Sequence, residues 1–149
     1  LAAMKAVVQR VSSASVEVDG VVVGAIGRGL TVLVGIEQAD TPADLEWMAD
    51  KVVNLRIFED AQEKMNLSVK DVGGGVLLVP NFTLAGDARK GRRPSFDNAM
   101  RPEQAEGVFA ALIARVKGEV PDTVGGVFRA HMNVSLVNDG PVTIVISSR

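Results

Sequence analysis

Cysteine is absent from this 149-residue chain, and histidine occurs once, at His131. The lack of cysteine excludes disulfide bonds, a thiol nucleophile and thiolate-bound zinc or iron–sulfur clusters. A single histidine excludes a multi-histidine metal site and restricts any Ser-His-Asp relay to one position. We therefore expect catalysis to depend on backbone groups, hydroxyls, carboxylates or the substrate itself, with no metal and no cofactor.

Long apolar runs are also missing. None approaches the roughly 20 residues that cross a membrane, and the start MKAVVQRV lacks the long apolar core of a secretory signal. We therefore expect a soluble, cytoplasmic protein without a membrane partner. Residues 1–3 precede Met4 and are expected to be a remnant of cloning or an uncertain start. The net charge of −2 argues against a general polyanion binder but allows a local basic patch.

Apolar patterning predicts one compact α+β domain over residues 1–149, in which strands dominate and two helices cover one side. We expect its sheet to be mainly antiparallel and barrel-like. Short apolar runs over residues 4–36, with Asp19 and Gly20 at a hairpin turn, predict three or four antiparallel strands. The run GGGVLLVPNFTL, interrupted by Pro80, predicts a strand buried on both faces. One helix begins at Thr41-Pro42, and the second covers about residues 102–117. We expect roughly seven strands in total.

A turn sequence, Asn-Asp-Gly-Pro, interrupts the strand pattern SLVNDGPVTIVIS near the end of the chain. Asp-Gly is typical of a hairpin, but Pro141 removes a backbone donor where the returning strand would begin. The bond between Gly140 and Pro141 is also a candidate cis peptide, although X-Pro bonds in folded proteins are cis in only about 5–6% of cases. A rigid element without side-chain freedom is the alternative to a simple turn.

The apolar strand ends in Pro80-Asn81-Phe82-Thr83. In the simpler interpretation, Pro80 marks an edge strand and Thr83 fills an ordinary strand position. In the functional interpretation, a pocket lies at the strand end, and the backbone N–H groups of Phe82 and Thr83 face a developing oxyanion. Spacing alone does not separate the two.

A basic loop follows, with Arg89, Lys90, Arg92 and Arg93 clustered around a glycine. Such a run is often only a solvated surface, but in a chain of net negative charge it is the best candidate for phosphate contacts. Phe96, just beyond it, either stacks on a base or anchors the core.

His131 and Met132 fall in an alternating pattern that places Met132 with Val134 on an apolar face, and His131 with Asn133 on the other face. A lone histidine is more often structural or exposed than catalytic, so no catalytic role is assigned to it.

Four segments together resemble the D-aminoacyl-tRNA deacylases of the bacterial and eukaryotic type: QRVSSASVEVDG, RIFEDAQEKMN, NFTLAGDARKGRRPSF and MNVSLVNDGPVTI. They occur in consistent order between about Met4 and Ile146. The resemblance implies a homodimer with active sites at its interface. It also implies an enzyme that hydrolyses the ester of a D-amino acid on the terminal adenosine of tRNA, and of glycine mischarged on tRNA-Ala.

The resemblance further implies roles for single residues. Gly140 and Pro141 match a cis Gly-Pro motif that enters the partner's pocket, where its carbonyls exclude the side chain of an L-amino acid. Arg10 matches a residue that helps hold this element. The pocket wall is formed by positions that match Phe96, Phe128 and Met132.

The strand-end motif departs from the family pattern. The family usually has Ser-Gln-Phe-Thr, so Phe82 and Thr83 match, whereas Pro80 and Asn81 replace the first two substrate-binding positions. Pro80 removes a hydroxyl and an N–H, and Asn81 is shorter than Gln. Pro at this position also resembles an animal branch of the superfamily whose Gly-Pro is trans and whose discrimination between D and L is relaxed.

The family's chemistry needs no catalytic relay, because the 2′-OH of the terminal adenosine assists the attack of water on an activated ester. We expect Thr83 to supply its backbone N–H and not to act as a covalent nucleophile, because no neighbouring base is evident. Two alternatives stay open. One is a non-catalytic module for RNA binding or dimerisation, and the other is a hydrolase of D-amino acid esters that does not need RNA.

Overall fold

The computed structural model describes residues 3–149; Leu1 and Ala2, part of the expected cloning remnant, lie outside the described residues. Within residues 3–149 the chain forms two α-helices and eight β-strands, one more strand than the sequence predicts. Their bounds are β1 Lys5–Val18, β2 Val21–Ile26, β3 Gly29–Gly35, α1 Pro42–Asn54, β4 Phe58–Glu59, β5 Met65–Leu67, β6 Gly75–Pro80, α2 Pro102–Lys117, β7 Thr123–Gly125 and β8 Asn133–Ser147.

The long strand β1 organises the sheet. Its first half pairs antiparallel with β3, its second half pairs antiparallel with β2, and β8 pairs along its other edge. The turn between β1 and β2 is the predicted one, with Asp19 at φ 51° and Gly20 at φ 79°. Both residue types accept positive φ, which matches the twist of a two-residue hairpin.

The sheet is mixed: all three pairings of β1 are antiparallel, as expected, but the sequence analysis did not predict parallel pairs. β6 lies between β3 and β7 and is parallel to both. Each of these connections is long and contains a helix, and such crossovers allow parallel pairing. The predicted burial of β6 on both faces is confirmed, because Val76, Leu77 and Leu78 are fully buried.

The sheet curls until its edges approach one another, which gives the expected barrel-like form. A Cβ atom placed on Gly24 of β2 would lie 3.4 Å from Val124 of β7. The curl divides the apolar core in two: a larger cluster packs between the sheet and the helices, and a smaller one fills the curled sheet. The smaller cluster contains Val11, Ala14, Val16, Ile26, Leu77 and Val79.

Both helices begin where the sequence predicts. At α1, the Asp44 carboxylate accepts hydrogen bonds from the Thr41 backbone N–H at 2.7 Å and from the Thr41 hydroxyl at 3.0 Å. α2 has the predicted bounds, because its apolar residues recur at helical spacing. Ala105, Phe109, Leu112 and Val116 form its buried face.

The turn sequence in β8 does not reverse the chain. β8 continues past it, and β1 pairs with β8 on both sides, Val11 with Asn138 and Gln9 with Thr143. Residues 139–142 therefore form a bulge opposite Arg10. The bond between Gly140 and Pro141 is cis.

Candidate active site

A cavity of about 830 Å³ opens at the carboxyl end of β6. Its wall includes all seven residues that the sequence analysis assigned to a pocket: Pro80, Asn81, Phe82, Thr83, Phe96, Phe128 and Met132. A second, smaller cavity of about 380 Å³ shares three of these residues, Pro80, Asn81 and Met132, and is otherwise apolar. The strand end is therefore a pocket and not simply the end of an edge strand.

The chain turns sharply after β6, and this turn leaves two backbone donors of cavity-lining residues without an acceptor within residues 3–149. Asn81 donates its N–H to the Val34 carbonyl at 2.8 Å, and residues Phe82–Ala85 then form one 3-10 turn. Within residues 3–149, the N–H groups of Phe82 and Thr83 have no hydrogen-bond acceptor. The Thr83 hydroxyl donates its proton to Asn81 Oδ1. The backbone donors are thus available to a ligand, while the hydroxyl proton is already engaged.

Three aromatic rings contribute to the wall: Phe82, Phe96 and Phe128. Phe82 and Phe96 meet edge to face, with ring centroids 5.2 Å apart, and Phe82 is 59% exposed. A Cβ on Gly86 would come within 2.9 Å of the Phe96 ring, so glycine there permits this packing. Phe128 is held by Phe109 of α2, with centroids 6.3 Å apart. Phe96 therefore packs within the protein and also lines the cavity.

His131 lies in the cavity wall and not in a strand. β8 begins only at Asn133, so the interpretation that His131 shares a strand face with Asn133 is wrong. The alternating pattern extends into a loop in which Arg129 has a φ of 69°, and this loop directs the chain toward the cavity. Met132 packs on Gly126, where a Cβ would lie 2.7 Å from the Met132 sulfur.

Four further polar residues of the wall were missed by the sequence analysis: Gln38, Asp97, Arg101 and Arg129. They come from loops that tertiary contacts bring together; for example, the Gln38 N–H donates to the Asn98 carbonyl at 2.9 Å. The available signal was weak, because polar residues in loops at strand and helix ends are common and only some bind ligands.

The basic loop is a narrow hairpin beside the cavity. Asp87 and Ser95 exchange two backbone hydrogen bonds, of 2.7 and 2.8 Å, and Gly91 at φ 67° lies near the tip. Arg89 pairs with Asp87 at 2.7 Å, and this contact lowers the pKa of the Asp87 carboxyl to about 2. The other three cations, Lys90, Arg92 and Arg93, are exposed.

The Gly140–Pro141 element is firmly held at its base. Arg10 is only 7% exposed, and its guanidinium donates to the Asp139 carbonyl at 2.9 Å and to the Ile57 carbonyl at 2.8 Å. The Asn138 side chain spans the bulge, accepting from the Val142 N–H at 2.7 Å. Gly140 and Pro141 themselves are exposed and do not line the cavity of their own chain.

None of the helices in residues 3–149 has both the length and the apolar character of a membrane span. In the same part of the chain, no three histidine or carboxylate side chains are arranged to hold a metal ion.

The curled sheet with its two helices is a fold that solved structures share with this chain. A solved structure titled as a probable eukaryotic D-amino acid tRNA deacylase has the same fold, with a TM-score of 0.81 at 16% identity over 97% of this chain and 99% of that one. A c-Myc DNA unwinding element binding protein is more similar, with a TM-score of 0.91 at 45% identity over 95% and 97%.

Sequence comparison then identifies the family. The profile of the D-Tyr-tRNA(Tyr) deacylase family matches residues 7–147. A D-aminoacyl-tRNA deacylase of Opitutus terrae is 58% identical over 97% of both chains, and one of Desulfitobacterium hafniense is 56% identical over the same shares. The chain belongs to the D-Tyr-tRNA(Tyr) deacylase family and is an enzyme of that family.

Proposed function

We propose that this enzyme hydrolyses the ester that joins a D-amino acid to the 3′-terminal adenosine of tRNA, and likewise glycine mischarged on tRNA-Ala. The observation that carries the proposal is the cavity at the end of β6, where the N–H groups of Phe82 and Thr83 have no acceptor within residues 3–149. Curated relatives named as D-aminoacyl-tRNA deacylases, at 56–58% identity, support the substrate class.

The reaction needs only modest help from the protein. Water attacks the ester carbonyl, and the N–H groups of Phe82 and Thr83 stabilise the negative oxygen that forms; one such donor is worth about 3 kcal/mol. The Thr83 hydroxyl is bonded to Asn81 and not to His131, so no Thr-His pair exists to make a covalent nucleophile. The 2′-OH of the terminal adenosine assists the attacking water and distinguishes RNA from DNA.

The cavity wall and the basic loop bind different parts of the substrate. Pro80, Asn81, Phe96, Phe128 and Met132 surround the aminoacyl end in the cavity. The exposed cations of the loop, Lys90, Arg92 and Arg93, contact the tRNA phosphates, and Arg89 contributes less because Asp87 already pairs with it.

A homodimer completes each site. Gly140 and Pro141 project from the surface outside their own cavity, and Arg10 and Asn138 hold their base, so they suit insertion into a partner's cavity. Their carbonyls then exclude the side chain of an L-amino acid. β8 also exposes Val137 and Val145, at 57% and 73%, which offers apolar contacts to a second copy. We place the enzyme in the cytoplasm, where aminoacyl-tRNA is made.

The test is a paired deacylation assay on D-, L- and glycyl-tRNA-Ala, each also prepared with a terminal 2′-deoxyadenosine. We expect hydrolysis of the D- and glycyl esters, little of the L-ester, and a large loss of rate on the 2′-deoxy substrates. Binding of tRNA without hydrolysis would instead support the RNA-binding module. Hydrolysis of a D-amino acid methyl ester at a similar rate would support the RNA-independent hydrolase.

A further inference from the structure

Arg10 is a buried cation that is in contact with two different parts of the chain. Its side chain is 8% exposed, and besides its two carbonyl acceptors it faces two carboxylates, Asp139 at 3.6 Å and Glu59 at 4.0 Å. A buried guanidinium is stable only where such partners compensate the lost hydration. One side of this set, Asp139, belongs to the Gly140–Pro141 bulge, and the other, Ile57 with Glu59, belongs to a different part of the chain.

That other part is the β4–β5 hairpin, residues 57–67, which is itself firmly anchored. Phe58 is fully buried, and the Arg28 guanidinium lies 5.3 Å from the centre of its ring. The connecting loop is fixed by Asp60, whose carboxylate accepts from the Gln62 N–H, the Lys64 N–H and the Asn66 side chain at 2.8, 3.0 and 2.9 Å. Ile57 and Glu59 therefore lie on either side of Phe58, which is held in place by its burial.

A movement of Arg10 would displace Gly140, because the two residues are in contact. A Cβ on Gly140 would lie 3.4 Å from Arg10 Nη2, so the guanidinium packs against the main chain of the bulge. Because Arg10 Nε also holds the Asp139 carbonyl, the guanidinium links the hairpin on one side to the bulge on the other.

We propose that the β4–β5 hairpin sets the position of the Gly140–Pro141 element through Arg10, and that Glu59 is a positioning residue for discrimination between D- and L-aminoacyl esters. This proposal rests on the proposed function. Glu59 does not line the cavity of its own chain, so its removal changes the position of the element and leaves the hydrolysing groups at Phe82 and Thr83 intact.

The experiment compares Glu59→Gln with Glu63→Gln, a matched control on the same hairpin whose side chain is exposed and makes no ion pair within residues 3–149. The kcat/KM values for D- and L-esters are measured on one tRNA species, so that the contribution of the tRNA body cancels in their ratio. For Glu59→Gln we expect the D/L ratio to fall roughly two- to fivefold, as for a half-exposed ion pair, with D-turnover near wild type. Glu59→Asp should restore part of the ratio, and Glu63→Gln should leave it unchanged.

Two further readouts separate the possible failures. In ¹⁵N-labelled protein, the Gly140 amide resonance should shift in Glu59→Gln and not in Glu63→Gln, and this holds whether or not the enzyme is assayed. In the wild type, added salt should lower the D/L ratio, and in Glu59→Gln it should have less effect. A wild-type enzyme without D-deacylase activity would overturn the proposed function. An active wild type with an unchanged ratio and an unmoved Gly140 resonance in Glu59→Gln would overturn only the positioning role.

Discussion

Arg10 and Asp139 lie 129 residues apart in the sequence, and the Arg10 guanidinium donates to the Asp139 carbonyl oxygen over 2.9 Å. The same guanidinium donates to the Ile57 carbonyl. The guanidinium carries five N–H donors in a fixed planar fork, and this geometry lets it hold two carbonyls that lie in different directions. This contact ties the exposed Gly140–Pro141 element to the body of the protein.

Arg10→Lys tests that tie. Lysine keeps the charge, but its single ammonium cannot reach both carbonyls, so we expect a loss of about 1.5–3 kcal/mol in the free energy of unfolding, as for a hydrogen bond to a charged group. The D/L ratio of deacylation should fall as well. Urea unfolding and the paired assay measure the two effects. A variant with wild-type stability and ratio would show that the fork geometry is unimportant.

Gly140→Ala tests the element and its partner together. At φ 143°, an added Cβ would lie 2.8 Å from the Val142 side chain, so we expect a cost of about 1–3 kcal/mol and a large loss of discrimination or activity. Ala99→Trp should inactivate the enzyme for a different reason, because the large side chain fills the cavity and leaves the Gly140–Pro141 element unchanged. If the element acts in the partner's cavity, refolding the two variants together restores D-selective activity at roughly a quarter of the sites. No recovery in the mixed dimers would place the element elsewhere.

Thr83→Val and Thr83→Ser test the proposed backbone role. Both keep the N–H of residue 83, and valine loses only the hydroxyl that donates to Asn81. We expect kcat to fall by less than about tenfold, the effect of one neutral hydrogen bond. Mass spectrometry of quenched wild-type reactions should find no acylated enzyme. An acyl ester on Thr83 would establish covalent catalysis instead.

The basic loop should control tRNA affinity through charge. Lys90→Ala, Arg92→Ala and Arg93→Ala should each weaken tRNA binding and reduce the slope of log affinity against log salt by about 0.7–0.9. Arg89→Ala should have a smaller effect, because Asp87 already neutralises Arg89. Lys117→Ala, at the end of α2, is the control. Equal effects at Lys117 and in the loop would indicate non-specific attraction.

Acid stability should depend on Asp44. Burial alone would raise the pKa of this carboxyl, but hydrogen bonds from Thr41, Arg149 and Ser148 lower it from 3.8 to about 2. The contribution of Asp44 to folding is therefore present above pH 4 and is lost as the pH falls towards 2. At pH 7, Asp44→Asn should cost about 1 kcal/mol, the value of a helix cap, and the difference from wild type should shrink in acid. Glu106→Gln, exposed on α2, should show no such pH-dependent difference.

Local patterns determined much of the fold. The hairpin at Asp19-Gly20, the start of α1 at Thr41-Pro42, the bounds of α2 and the burial of β6 each follow from residues that are neighbours in the sequence. The pocket at Pro80–Thr83 could be anticipated as well, because a strand that ends in an amide, an aromatic ring and a hydroxyl is a plausible site. The resemblance to known deacylases added Arg10 and Phe128, and it supplied the expected role of Gly140 and Pro141.

The sequence by itself determined where both helices begin, which faces of the helices are apolar and which family the chain resembles, because these depend on local sterics, periodicity and residue identity. Only the tertiary structure decided that β6 pairs parallel with β3 and β7, that β8 passes through its turn sequence, and that His131 reaches the cavity. The physical reason is distance along the chain. Contacts such as Arg10 with Ile57 join segments whose proximity depends on the packing of the whole sheet, and no local pattern encodes that packing.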